Sequence, residues 1–130
     1  MVFGVFDGLH EGHKAFLKEA RSYGGELIAV VARDEIVAEL KGHKPQYDIA
    51  ERLTHLEADD SVSEVAIGDG QLGDWDVLKK YRPDIIVLGY DQSALKSELE
   101  QYIEKNNLKI EIKVASSFEP NKYHSSIINK

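Results

Sequence analysis

Gly4-Val5-Phe6-Asp7-Gly8-Leu9-His10-Glu11-Gly12-His13 joins a short apolar run, Met1-Val2-Phe3, to a segment of helical periodicity. It therefore reads as a strand handing over to a helix N-terminus. The first turn of a helix has unpaired backbone N–H groups and the positive end of the helix dipole, so such a junction in an α/β protein attracts phosphate. Two imidazoles three residues apart at that spot add donors that can follow charge as it moves during a reaction. Gly12, between them, lets backbone or phosphate approach where a Cβ would collide. These ten residues point to chemistry on the phosphates of a nucleotide. Two other readings stay open: a surface histidine beside a helix-capping one, or a His-x-x-His zinc pair, for which no third ligand stands at a suggestive spacing.

Working outward, strand-like apolar runs appear at Met1–Val5, Leu27–Val31, Val62–Ile67, Ile85–Leu88 and Leu108–Val114. Met1 stands only three residues before Gly4, so the first strand is expected to be short. Between the runs, Phe16, Ala20 and Tyr23 recur at i, i+4 and i+7, as do Ile49, Leu53 and Leu56, and Leu95, Leu99 and Tyr102. Gly24-Gly25 is expected to close the first helix, and Pro83 to end the one holding Leu78 and Tyr81. Strands alternating with helices imply crossover connections and a parallel sheet. The unbroken apolar run Ile85-Ile86-Val87-Leu88 suits a central strand buried on both faces. The expectation is one doubly wound, Rossmann-like α/β domain over residues 1–130, with helices on both faces. Ligands in such sheets bind at the carboxyl ends of the strands, at the switch point, so residues 6–13 and 89–92 should face one cleft.

Composition narrows the function. The 130 residues are 42% apolar and 30% charged, ordinary for a soluble domain. No apolar run approaches the ~20 residues that span a bilayer, and no signal-peptide pattern is seen. The absence of cysteine excludes disulfides and thiolate metal sites and fits a cytoplasmic location. A net charge of −7 argues against broad nucleic-acid binding. An acidic chain that binds polyphosphate must gather its cations locally. Lys41-Gly42-His43-Lys44-Pro45, followed by Glu51-Arg52, is the expected place. Lys44 as a point charge and Arg52 as a planar fork suit phosphate oxygens, unless they are a solvated loop and a helix-surface arginine. The Gly-Pro-bearing loop also suits a mobile lid. Asp7 is either a turn residue, a shaper of the phosphate loop, or a carboxylate holding magnesium through water. Tyr90 can stack or hydrogen-bond, and Asp91 and Gln92 offer polar groups after the fourth strand. Ser125-Ser126 can cap a helix or serve phosphate. Trp75 reads as packing, with Asp74 as a helix cap, and the acidic pairs Asp59-Asp60 and Glu98/Glu100 as solvated faces.

Phe6-Asp7-x-x-His10-x-Gly12-His13 resembles the His-x-Gly-His signature of the nucleotidyltransferase superfamily, which includes cytidylyltransferases, phosphopantetheine adenylyltransferase and FAD synthases. Arg82-Pro83-Asp84-Ile85-Ile86-Val87-Leu88-Gly89-Tyr90-Asp91-Gln92 is similar to the fourth strand and following loop of archaeal-type FAD synthases. Tyr123-His124-Ser125-Ser126-Ile127-Ile128 resembles the hydroxyl-rich segment that starts the family's last helix. The resemblance implies strand order 3-2-1-4-5, a homodimer, and a divalent cation such as Mg²⁺ accompanying the triphosphate, with metal ligands undetermined. It further implies a transfer of a nucleoside monophosphate from ATP or CTP to a phosphorylated acceptor, FMN being the favoured one. His10, His13, Lys44 and Arg52 would be catalytic. Val5, Phe6, Asp7, Gly12, Gly89, Asp91, Tyr123, Ser125 and Ser126 would meet the nucleotide and its phosphates, and Tyr90 and Gln92 the acceptor. Two departures stand out: Glu119-Pro120 where many cytidylyltransferases carry an arginine, and Ile127 where relatives often place a lysine. Lys122 or His124 would have to compensate. Transfer to glycerol 3-phosphate or a sugar phosphate, and a nucleotide-binding module without catalysis, are the alternatives.

Overall fold

The computed structural model describes residues 1–68, 75–90 and 92–115. Asp91, Tyr123, Ser125 and Ser126, expected at the nucleotide phosphates, lie outside these residues, as do Asp74, Glu119, Pro120, Lys122, His124 and Ile127. The chain runs β1 (Val2–Gly4), α1 (Glu11–Arg21), β2 (Ile28–Val31), α2 (Asp34–Lys41), α3 (Ile49–Glu57), β3 (Glu64–Ile67), α4 (Asp76–Tyr81), β4 (Ile85–Leu88), α5 (Ser93–Lys105) and β5 (Glu111–Val114). Five strands form one sheet in the order β3-β2-β1-β4-β5, and every pairing is parallel. This is the expected order, with its switch point between β1 and β4.

Strand alternation divides the core into two layers. Val2, Ala29, Val31 and Val87 point to the face covered by Leu17 and Ala20 of α1 and Leu56 of α3. Met1, Val30, Ile86 and Leu88 point to the other, against Val77 and Leu78 of α4 and Leu99 of α5. Trp75 packs in this second layer, edge-on to Phe3 at 5.8 Å, consistent with its reading as a packing residue. Each fully buried aliphatic side chain contributes about 1.5–3 kcal/mol relative to exposure.

Strand β1 is a residue shorter at each end than the run Met1–Val5, β2 begins at Ile28 rather than Leu27, and four further boundaries differ from the sequence reading. Val62 donates its N–H to the Asp59 carbonyl in a turn, so β3 begins only at Glu64. Leu108 donates to Ile103 and closes α5, with Asn107 left-handed at φ 54°, so β5 begins at Glu111. Helix α1 stops at Arg21, where Ser22 caps it, so Tyr23 and Gly24-Gly25 lie beyond it. Helix α2 takes in Lys41, and Gly42, left-handed at φ 77°, donates to the Ala38 carbonyl to end it. The basic loop is therefore shorter than its sequence suggested. It starts at Gly42.

Candidate functional site

The β1–α1 junction is folded by its own histidines. His10 is the N-cap of α1, with its Nδ1 accepting the N–H groups of Gly12 at 3.0 Å and His13 at 3.3 Å. In return, His10 N–H donates to Nδ1 of His13 at 3.4 Å, which completes a capping box. The two rings stack, with centroids 3.7 Å apart and planes inclined by 21°. Capping and phosphate binding are therefore compatible in one residue. With Nδ1 of a neutral His10 accepting, the ring proton resides on Nε2, leaving a donor on the exposed side of the helix terminus.

Burial holds the pKa of His13 down at about 4, and neighbouring His10 and Lys41 lower it further; the Gly8 backbone and Asp7 work the other way. His13 is thus neutral through the physiological range. The sign of its linkage follows. The unfolded chain takes up a proton near 6.5 and the folded chain only near 4, so stability falls as pH drops between those values. Asp7 acts in the same sense further down. Burial would raise its pKa, but the N–H groups of Tyr47 and Gln46 outweigh that and hold it below the usual 3.8. Its contribution is present above that value and is lost as pH falls through the folded pKa. The urea midpoint of the native chain is expected to decline from pH 6.5 to 4, and that of His13→Gln to decline less. A native midpoint that is flat across this window would contradict the buried, neutral His13.

Both oxygens of Asp7 are engaged by residues 39 and 40 positions along the chain. Oδ2 accepts from Gln46 N–H at 2.7 Å and Oδ1 from Tyr47 N–H at 2.8 Å. The Tyr47 ring then packs over Gly8, whose φ of 74° suits glycine and where a Cβ would stand 3.0 Å from that ring. Arg52, on α3, is fully buried. Its Nε donates to the Tyr47 carbonyl at 3.1 Å and its Nη1 to the Val5 carbonyl at 2.9 Å. Its Nη2 pairs with Asp34 at the start of α2. Arg52 is thus neither on the helix surface nor presented to solvent; it braces β1, α2 and the basic loop from beneath. Lys41, His43 and Lys44 are exposed, and neither lysine has an ion-pair partner among the described residues.

On the β4 side, Tyr90 is 59% exposed beside the switch point. Gln92 is used internally: its Oε1 accepts from Gly89 N–H at 2.7 Å, and its Nε2 donates to the Phe3 carbonyl at 3.1 Å. It ties the β4 loop to β1 and so fixes where Tyr90 stands. Phe6 is buried, and Val5 presents its carbonyl to Arg52. Sequence reasoning missed Asp34, Tyr47 and Arg33. Arg33 lies just past β2 and is exposed, with its Nε donating to the Gly68 carbonyl at 2.8 Å. The cue for Asp34 was its place three residues past the β2 run; Tyr47 carried no cue.

Among the described residues, no group of three or more His, Cys, Asp or Glu side chains is arranged to hold a metal. The Asp7 oxygens already accept backbone N–H groups. The described residues therefore form no protein cage for a resident ion.

Fold and site together define a nucleotide-binding α/β domain, with a histidine-capped helix and a strapped-down basic loop at the switch point. The cytidylyltransferase-like family model matches residues 1–130. The FAD synthase of Thermococcus sibiricus is 42% identical over 109 residues, covering 84% of this chain and 74% of the relative. That of Aciduliprofundum boonei is 42% identical over 112 residues, covering 86% and 74%. Among solved structures, the lipopolysaccharide core biosynthesis protein of Thermoplasma volcanium superposes with a TM-score of 0.80 at 36% identity, covering 91% of this chain and 95% of that one. The chain belongs to the cytidylyltransferase-like family and is a nucleotidyltransferase.

Proposed function

We propose that the protein transfers the adenylyl group of ATP to FMN, forming FAD and pyrophosphate. The observation that carries this reading is the stacked His10–His13 pair at the start of α1, in a chain 42% identical to archaeal FAD synthases. An oxygen of the FMN phosphate attacks the α-phosphorus in line. The bond from that phosphorus to the bridging oxygen of the β-phosphate breaks, and pyrophosphate leaves. Such a transfer needs positioning and charge neutralisation more than covalent chemistry from the protein. His10 donates from Nε2 to the α/β-phosphates, and His13 lies stacked beside it. Gly12 and the first turn of α1 offer backbone N–H groups to the same oxygens. Lys44 serves the triphosphate or the acceptor phosphate. Arg52 acts through the loop it holds, because its guanidinium is buried. Tyr90 faces the flavin, and Gly89, Asp91, Tyr123, Ser125 and Ser126 complete the nucleotide site. Mg²⁺, or another divalent cation, would accompany the triphosphate and supply neutralisation of its charge. We infer a cytoplasmic enzyme that works as a homodimer; light scattering on the purified chain tests the dimer.

A pyrophosphate-release assay with Mg²⁺, crossing ATP and CTP against FMN, glycerol 3-phosphate and sugar phosphates, decides the chemistry. Turnover is expected only with ATP and FMN. Turnover with a sugar phosphate instead would overturn FMN as the acceptor and keep the phosphate chemistry. Nucleotide binding without turnover on any acceptor would refute the FMN reading.

A further inference from the structure

Phe6 is bulky and apolar, yet its φ is 52°, in the left-handed region that such residues avoid. A conformation of this kind persists only where its surroundings over-determine it, and it commonly marks a functional site. The surroundings here are specific. The side chain is 3% exposed. Its ring lies over Gly4, where an added Cβ would fall 2.9 Å from two of the ring carbons. It also meets His13 edge-on, with centroids 5.8 Å apart and an interplanar angle of 69°. His13 in turn stacks on His10. Gly4, Phe6, His13 and His10 thus form one line of contacts running from strand β1 to the exposed helix terminus.

We propose that Phe6 is a positioning residue for the phosphate site: its inward-turned ring sets the plane of the His13 imidazole and, through the stack, that of His10. This rests on the reading of His10 and His13 as phosphate ligands. Gly4 is the other half of the device, since any side chain there would push the Phe6 ring toward His13. The Phe6 side chain is buried. It acts by denying His13 alternative orientations and shielding it from water, in keeping with the depressed proton affinity of that ring. The groups that otherwise influence His13 are His10, Lys41, Asp7 and the Gly8 backbone.

The test uses the full chain with Gly4→Ala, Phe6→Leu and both together, followed by histidine-ring NMR titration and pyrophosphate release. Leucine lacks the outer ring carbons that the new Cβ would strike. Gly4→Ala is expected to lower kcat by about 10²-fold, the scale of a small misplacement of reacting groups, with KM for ATP changed far less. Phe6→Leu should lower kcat less, and the double variant should lose less than the product of the single losses. The His13 ring resonances should move in every variant, and in Phe6→Leu, which thins the shield, its pKa should rise toward 6.5. Unmoved His13 resonances and pKa in Phe6→Leu would overturn the proposal, and this variant decides alone if Gly4→Ala does not fold. Single losses that simply multiply would also overturn it, by denying the contact between Gly4 and Phe6. Shifted resonances with undiminished turnover would instead refute the phosphate-ligand reading of the histidines, on which the proposal stands.

Discussion

Replacing Arg52 with alanine will destabilise the ligand-free protein by about 2–4 kcal/mol, the cost of taking the donor from two carbonyls, because the Asp34 carboxylate left behind is 38% exposed and is rehydrated. Domains of this size have about 5–15 kcal/mol of stability in all, so the loss is a large fraction of the total. The magnitude follows from what the guanidinium satisfies. It is fully buried and donates to the carbonyls of Val5 and Tyr47 while pairing with Asp34. Alanine leaves the Val5 and Tyr47 carbonyls without this donor, at about 1–3 kcal/mol for each that water cannot reach, while the partly exposed Asp34 carboxylate keeps the N–H of Ile49 and meets water. Arg52→Lys should fall between, because a single ammonium on a flexible stem cannot reach three acceptors spread around a planar fork. Urea denaturation without substrate measures both. If Arg52→Ala unfolded like the native chain and only raised KM for a substrate, the guanidinium would belong to the phosphates after all. From beneath the basic loop its removal would act on catalysis indirectly: Val5, Asp34 and Tyr47 lose their common anchor.

Arg52 also marks the boundary of what the sequence disclosed. Features governed by local periodicity were legible. The unbroken run at Ile85–Leu88 is β4 to the residue, and the recurrences of Ile49, Leu53 and Leu56 and of Leu95, Leu99 and Tyr102 fall within α3 and α5. The alternation of these elements led to the parallel sheet, and the resemblance supplied its order. Hidden features were those decided by partners far apart in the chain. Arg52 meets Val5 across 47 residues, Asp7 meets Tyr47 across 40, and Gln92 reaches Phe3 across 89. Composition marked these residues as polar and near the site, which is equally true of a phosphate ligand and of a brace. Only burial separates the two. Helix α2, eight residues long, has little room for a periodic signal, and so Lys41 read as loop. The left-handed backbone of Phe6 has no signature in residue type, since phenylalanine is among the residues least expected there.

His10 offers the sharpest separation of folding from catalysis, because its two ring nitrogens face different tasks. Nδ1 accepts the N–H groups of Gly12 and His13 and holds the start of α1. Nε2 is then the donor available to a phosphate. His10→Ala removes both functions: it should lower stability by about 0.5–2 kcal/mol through the lost cap and turnover by about 10²–10³-fold through the lost donor. His10→Asn removes only one. Asparagine is a preferred N-cap, and its Oδ1 can take the place of Nδ1, but nothing in it extends to where Nε2 stood. Its stability should match the native chain within a few tenths of a kcal/mol, while turnover falls as far as in the alanine variant. Thermal denaturation and pyrophosphate release on the same preparations measure the two quantities. Retained turnover in His10→Asn would reduce His10 to a cap, leaving His13 and the backbone of the first turn as the phosphate donors. Equal losses of turnover with unequal stability would place the catalytic contribution on the outward nitrogen alone.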